Sequence, residues 1–368
     1  MEYKANDNFR IRNVCLFLIA FLPATKIFLL PSVMVQAARS DMWISAALNV
    51  LLDSLTLVAA LVLWKRYEGR DYYDILSMNL GKTGANIVYA LYFLCFVLKS
   101  YTLISEQKLY VERTLYESTT TFFTFLPFFF FCGYLASKKL FVLGRLADIM
   151  FLITVASLVI LYALSFANTD FGAVLPVGVN GIGKILSSSL RALNWFGDSV
   201  YLFFLIGRIP PEKKAFIKLL PSYFFAGLFP VICMLMFYGT FSSLAVRQEF
   251  ALTEIAKYSV AINNIGRFDY IAIFGLLFTG GVAMCLPLYF ATECLVKIFG
   301  FKKKVFVALG VTVLIFAMIL LLKEHYAAAI GISVRYLAYF FLLMSNVVPL
   351  LSLFLKKGAK DEKQKDRD

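Results

Sequence analysis

An all-α polytopic membrane protein with ten transmembrane helices is what this sequence predicts, and three observations carry the prediction. Long apolar runs recur along all 368 residues. Only 16% of the residues are charged, against about a quarter in an ordinary soluble domain. The mean hydropathy is +0.78. Each run is long enough to cross a hydrocarbon core of roughly 30 Å. The runs are not the short alternating segments of a β-barrel. A single integral membrane domain over residues 1–368 is therefore expected.

Hydropathy places the spans at about 11–33, 42–64, 84–104, 119–136, 147–167, 185–207, 216–241, 268–295, 304–322 and 335–355. The first contains Pro23, Lys26 and Pro31, and no small-residue cleavage site follows it. It reads as a retained helix rather than a signal peptide. The second is rich in Leu and Val and carries Asp53. In the third, Lys99 and Tyr101 fall near the outer end. Lys99 is expected to snorkel to the interface, and Tyr101 to sit in the aromatic belt or close a pocket from outside. In the fourth, the run Phe128-Phe129-Phe130-Phe131 reads as lipid-facing. Gly280-Gly281 in the eighth reads as close helix packing. The long outer segment 242–267 contains an amphipathic stretch from Phe250 to Tyr258. A short helix lying on the outer face is expected there, with Glu254 and Lys257 able to pair, and a cap over a site is the alternative.

Lys and Arg in the loops set the orientation. With the N-terminus inside, the inner segments hold 24 and the outer segments nine. Both termini are expected in the cytosol, with the basic tail 356–368 at or near the anionic inner leaflet. This bias accounts for much of the +13 net charge, so nucleic acid is not a predicted partner. The six cysteines are scattered through the spans without metal-ligand or disulfide spacing, and the one histidine cannot supply a metal cluster. No phosphate-binding loop, Ser-His-Asp set or paired-carboxylate motif is present, so the chain does not read as an enzyme, and it calls for no cofactor or metal.

What remains is charge at bilayer depth, which is costly and usually faces a cavity or a partner. At 1.5 Å per residue, Lys26 lies roughly 22 Å along the first span and Asp198 roughly 20 Å along the sixth, both near the middle. Both sit beside helix breakers. Pro23 and Pro31 free carbonyls four residues earlier, near Ile19 and Ile27. Gly197 lets the sixth span leave helical geometry, and Asn194 and Ser199 can bond the freed backbone. Trp195 adds an aromatic face and an indole N–H that needs a partner when buried. Free amides suit a carboxylate, while free carbonyls and Asp198 suit an ammonium, so together the breaks suit a zwitterion such as an amino acid. Lys26 is either permanently paired with Asp198 or Asp53, or a ligand or proton-coupling group. Asp53 reads as a structural hydrogen-bonding group, with ion coupling as its alternative.

Breaks in the first helix of each half resemble the inverted five-plus-five repeat of the amino acid–polyamine–organocation carriers. That resemblance implies a first repeat at about 11–167, a second at about 185–322, and 335–355 as the last span. More narrowly, the chain is similar to the B subunits of spore nutrient-germinant receptors (the GerAB type). The segments Leu22 to Pro31, Asp41 to Ser45, Leu143 to Asp148, Phe171 to Pro176 and Trp195 to Asp198 carry the likeness. It implies a sensor in the spore inner membrane that binds a nutrient, often an amino acid, and works with A and C receptor subunits. The implied ligand contacts are Thr25, Lys26, Ile27, Tyr101, Asn194, Trp195, Gly197, Asp198, Ser199, Thr279 and Gly280, with Lys26, Asp53 and Asp198 as candidate coupling groups. Related carriers have a glycine-rich stretch at the first break; here Thr25 and Lys26 stand there. A proton-coupled amino acid or polyamine transporter and a non-transporting scaffold are the alternative readings.

Overall fold

Apolar runs punctuated by Pro, Gly and short polar loops give an all-helical chain. The computed structural model describes residues 10–67, 70–114, 121–209, 212, 214–257, 269–323 and 325–354. The basic tail 356–368 and the part of the outer loop beyond Lys257 lie outside the described residues. The first predicted span is α1 (Ile11–Ala24) and α2 (Leu30–Ala38), separated by a non-helical break. Then come α3 (Met42–Arg66), α4 (Tyr72–Thr114), α5 (Thr121–Ser137) and α6 (Leu140–Ser165). The sixth predicted span is α7 (Ile182–Arg191), a break, and the short α8 (Tyr201–Leu205). After these come α9 (Ala215–Phe241), α10 (Ala251–Lys257), α11 (Asp269–Ala283), α12 (Cys285–Phe299) and α13 (Lys304–Leu321). The last predicted span is α14 (Tyr326–Arg335), α15 (Ala338–Leu342), a π-helical turn at Leu343–Val347, and α16 (Val348–Ser352).

Among the described residues, six helical segments are long and apolar enough to cross a membrane, and α14 with α15–α16, bent by 50°, makes a seventh when counted as one. The predicted first and sixth spans are not single helices of that length, because both are broken in the middle. Small residues allow the helices to approach. A Cβ on Gly227 would lie 2.7 Å from Val50 Cγ1 where α9 meets α3, and one on Gly275 would lie 2.2 Å from Ser157 Oγ where α11 meets α6.

Three local expectations are corrected. The third span does not end at residue 104: past Gly81, where the backbone is non-helical, α4 runs unbroken to Thr114. Lys99 is therefore mid-helix and buried, and it does not snorkel. The polar run Ser105-Glu106-Gln107-Lys108 read as a span end because hydropathy cannot tell an interior polar face from a loop. The Phe128–Phe131 run is only partly outward: Phe130 is exposed, but Phe129 is buried against Phe316 with ring centroids 4.6 Å apart. Finally, α10 does not lie on the surface. Phe250, Ala251, Ile255 and Ala256 are buried, and the Ala251 N–H donates to Phe28 O in the first break at 3.2 Å.

Candidate functional site

The first break follows from Pro23 in the last turn of α1 and Pro31 at the start of α2, which leave residues 25–29 outside helical geometry. The amide of Lys26 bonds to Pro23 O at 2.9 Å instead of to Leu22 O. The Lys26 ammonium takes the vacated position, donating to Leu22 O at 2.8 Å. The carbonyls put to use are thus Leu22 and Phe28, one bound by a side chain and the other by α10. Pro23 and Pro31 have no N–H, so the carbonyls near Ile19 and Ile27 lack a helical amide partner as expected, and the departure of the chain from the helix at Thr25 brings Leu22 O and Phe28 O into use as well.

The second break turns through Ala192–Phe196 to Gly197, whose φ of +77° is left-handed. Glycine is required there twice. A side chain would be strained at that φ, and a Cβ would stand 2.5 Å from Ser345 Cβ and 2.4 Å from its Oγ. Gly197→Ala is expected to lower stability by about 1–3 kcal/mol. Ser345→Gly in the same chain should restore the space but not the backbone angle, so thermal unfolding should recover only in part.

The two breaks meet at Asp198. Lys26 Nζ bonds one carboxylate oxygen, and Lys99 Nζ donates to the other at 2.7 Å and to Phe196 O at 2.7 Å. Lys26 is fully buried and Lys99 nearly so. Both ammonium groups also face rings: Lys26 is 5.3 Å from the Phe196 centroid and Lys99 is 5.5 Å from that of Tyr201. A buried charge is tolerable only when paired and hydrogen-bonded. Here one acid serves two cations, and two freed backbone carbonyls share the load.

A second carboxylate completes the junction. Glu106, buried on α4, accepts the Leu29 N–H on one oxygen and the Trp195 indole N–H on the other, both at 2.7 Å. It joins a free amide of the first break to the aromatic residue of the second. The site therefore contains both halves of a zwitterion in the chain's own side chains: a carboxylate on the amide end, and ammonium groups on the carbonyl and acid end.

Asp53 is held otherwise. It accepts the Ser199 N–H at 3.3 Å and the Tyr223 hydroxyl at 3.0 Å, fixing the start of the helix after the second break. Asn194 donates to Thr102 Oγ1 at 2.6 Å and to Ser333 Oγ at 3.2 Å, while its own oxygen and Ser199 Oγ are buried without a partner. Gly280 lets α11 close on α4 and the first break, since a Cβ there would lie 2.6 Å from Gln107 Nε2 and 3.3 Å from Phe28 Cε2. Thr279 donates to its own helix at Leu276 O, and Ile27 is buried in the apolar core. Tyr101 is not at the junction; it lines a separate cavity between α4, α13 and α14. Neither Lys99, read from sequence as an interfacial residue, nor Glu106 was among the site residues expected from sequence. Their signal was their helical spacing, i and i+7, on one face of α4. Among the described residues, no three His, Cys, Asp or Glu side chains converge to hold a metal.

Both ends are shut. Toward α8, Tyr201 stacks on Phe290 at 4.7 Å, with Phe96, Tyr92 and Phe204 packed beside them. Beyond these rings, Glu293 pairs with Arg208 and Lys304, and Asp71 with Lys297. At the other end, Phe28, Tyr110 and Phe250 pack edge to face, and Thr253 donates to the Tyr110 hydroxyl at 2.8 Å. The cavity left beside Thr25 and Asp198 is about 10 Å³, room for roughly one water.

A family model described as spore germination protein matches residues 11–327. No curated protein matches the chain. Among solved structures, a mutant form of the manganese transporter of Eremococcus coleocola is similar over 91% of this chain and 78% of that one, with 12% sequence identity and a TM-score of 0.48.

Proposed function

The chain belongs to the spore germination protein family, and we propose that it is the nutrient-sensing membrane subunit of a germination receptor, binding a small zwitterion, an amino acid foremost, where its two broken helices meet. One observation carries this reading: the free backbone groups of both breaks converge on a buried junction that already holds a carboxylate and ammonium groups in place. In this reading the ligand exchanges with those side chains. Its ammonium takes the place of Lys26 on Leu22 O and Asp198, and its carboxylate takes the place of Glu106 on Leu29 N–H and the Trp195 indole. The cavity is too small to admit a ligand without such displacement. The displaced contacts are what make binding favour one conformation over another, without which nothing would be signalled.

The remaining assignments belong to the same reading. Ten spans form two inverted five-helix repeats, with α1–α2 and α7–α8 as the broken helices. Both termini face the cytosol, and the chain sits in the spore inner membrane with A and C receptor subunits. Lys26 and Asp198 are the groups whose pairing changes, and Asp53 anchors the helix after the second break. Uptake into vesicles by the purified chain alone separates this reading from a carrier. A sensor is expected to bind the nutrient without accumulating it, and accumulation would establish the carrier instead.

A further inference from the structure

A second cavity lies one helix face away from the junction. It occupies about 140 Å³ between the C-terminal half of α4, the end of α13 and the start of α14. Its polar lining is Tyr101, Ser105, Lys108, Glu112, Lys323 and Tyr326, and Leu109, Ile319 and Leu322 supply an apolar wall. Three buried polar atoms of this lining have no hydrogen-bond partner: Ser105 Oγ, Glu112 Oε1 and the Tyr326 hydroxyl. Buried polar groups are rarely left so. The other Glu112 oxygen is engaged by Lys108 Nζ at 3.1 Å.

We infer that this cavity is a second small-molecule site, distinct from the junction, and that it takes a small α-amino acid of glycine or alanine size. The lining is amphoteric. A plain anion would meet Glu112, and a plain cation would meet Lys108 and Lys323. A zwitterion satisfies both signs, with its ammonium on Glu112 Oε1 and its carboxylate on Lys323. Ser105 and Tyr326 offer hydroxyls to the carboxylate, and a short side chain meets the leucine wall. Glu106, next to Ser105 in sequence, is engaged at the breaks, where it accepts from the Leu29 N–H and the Trp195 indole, while Ser105 lines this cavity.

The test is equilibrium binding of radiolabelled glycine and L-alanine to the purified full-length chain in lipid nanodiscs. Ser105→Leu fills the cavity, Glu112→Gln removes the ammonium partner, and Tyr326→Phe removes one hydroxyl with the least threat to folding. Ser105→Leu and Glu112→Gln are expected to weaken binding about tenfold or more, and Tyr326→Phe by a few fold. Phe130→Leu, on the outward face of α5 and outside both sites, is expected to leave this binding within about twofold of the original. Binding indifferent to all three cavity variants would overturn the assignment. So would the absence of saturable binding of either amino acid up to about 10 mM, which would mean the cavity holds only solvent. Binding lost in Asp198→Asn but kept in the three cavity variants would overturn it too, while leaving the junction as the ligand site.

Discussion

Asp198→Asn is expected to cost more stability than any other single polar substitution in the chain. The Asp198 carboxylate is the ion-pair partner of both Lys26 and Lys99, all three within the bundle. Asparagine keeps one acceptor oxygen, so one lysine retains a neutral hydrogen bond and the other retains only a backbone carbonyl. Removing one partner of a buried ion pair typically costs about 3–5 kcal/mol, and here two cations lose the same acid. Thermal unfolding of the purified protein is the measurement. A second substitution identifies the cause: Lys26→Met or Lys99→Met in the Asp198→Asn chain removes an uncompensated cation and should recover part of the loss. A double-mutant cycle between Lys26 and Asp198 should show coupling of about 0.5–3 kcal/mol. Simple additivity would contradict the direct pair. Loss of the nutrient response is expected in the same variant, with the protein still inserted in the membrane.

Glu106→Gln is the second large effect, and it acts in two directions. Glu106 accepts from two buried donors on two different breaks. Glutamine can accept from one and turns an N–H toward the other, leaving a buried donor unsatisfied at about 1–3 kcal/mol. The protein without ligand should therefore unfold at lower temperature. If a ligand carboxylate uses the same two donors, removing the resident one lowers the competition. The stabilisation on adding ligand should then be larger in Glu106→Gln than in the original chain. A ligand-dependent shift that is smaller in the variant would mean that Glu106 contributes to the bound state rather than holding its place.

Much of this could be read from sequence, and each part that could not has its own physical cause. The two breaks were legible because proline and glycine act locally: Pro23, Pro31 and Gly197 break the helices whatever surrounds them. Lys26 and Asp198 stood out because nothing else charged lies in their spans near mid-membrane. Lys99 and Glu106 were hidden by the opposite circumstance. Glu106 lies in a run of polar residues that hydropathy reads as the end of a span, and Lys99 lies just before it, close enough to the expected end to read as an interfacial residue; only the unbroken course of α4 to Thr114 turns both into an interior face. The docking of α10 on Phe28 O was hidden for a different reason. An amphipathic segment has the same pattern whether its apolar face meets lipid or protein, and the decision rests on a carbonyl 223 residues earlier than its partner amide. Tyr101 was placed on the right helix but on the wrong side of it. Its distance along the span was legible, and its rotation about the helix axis was not.

The central claim is that a ligand takes the places of Lys26 and Glu106 at the junction of the two breaks. The most direct measurement is a thermal-shift screen of the purified chain against amino acids, sugars and polyamines, run in parallel on Asp198→Asn and Ser105→Leu. At least one amino acid is expected to give a stabilising shift that disappears in Asp198→Asn and persists in Ser105→Leu. Stabilising compounds whose shifts are all undiminished in Asp198→Asn would contradict it.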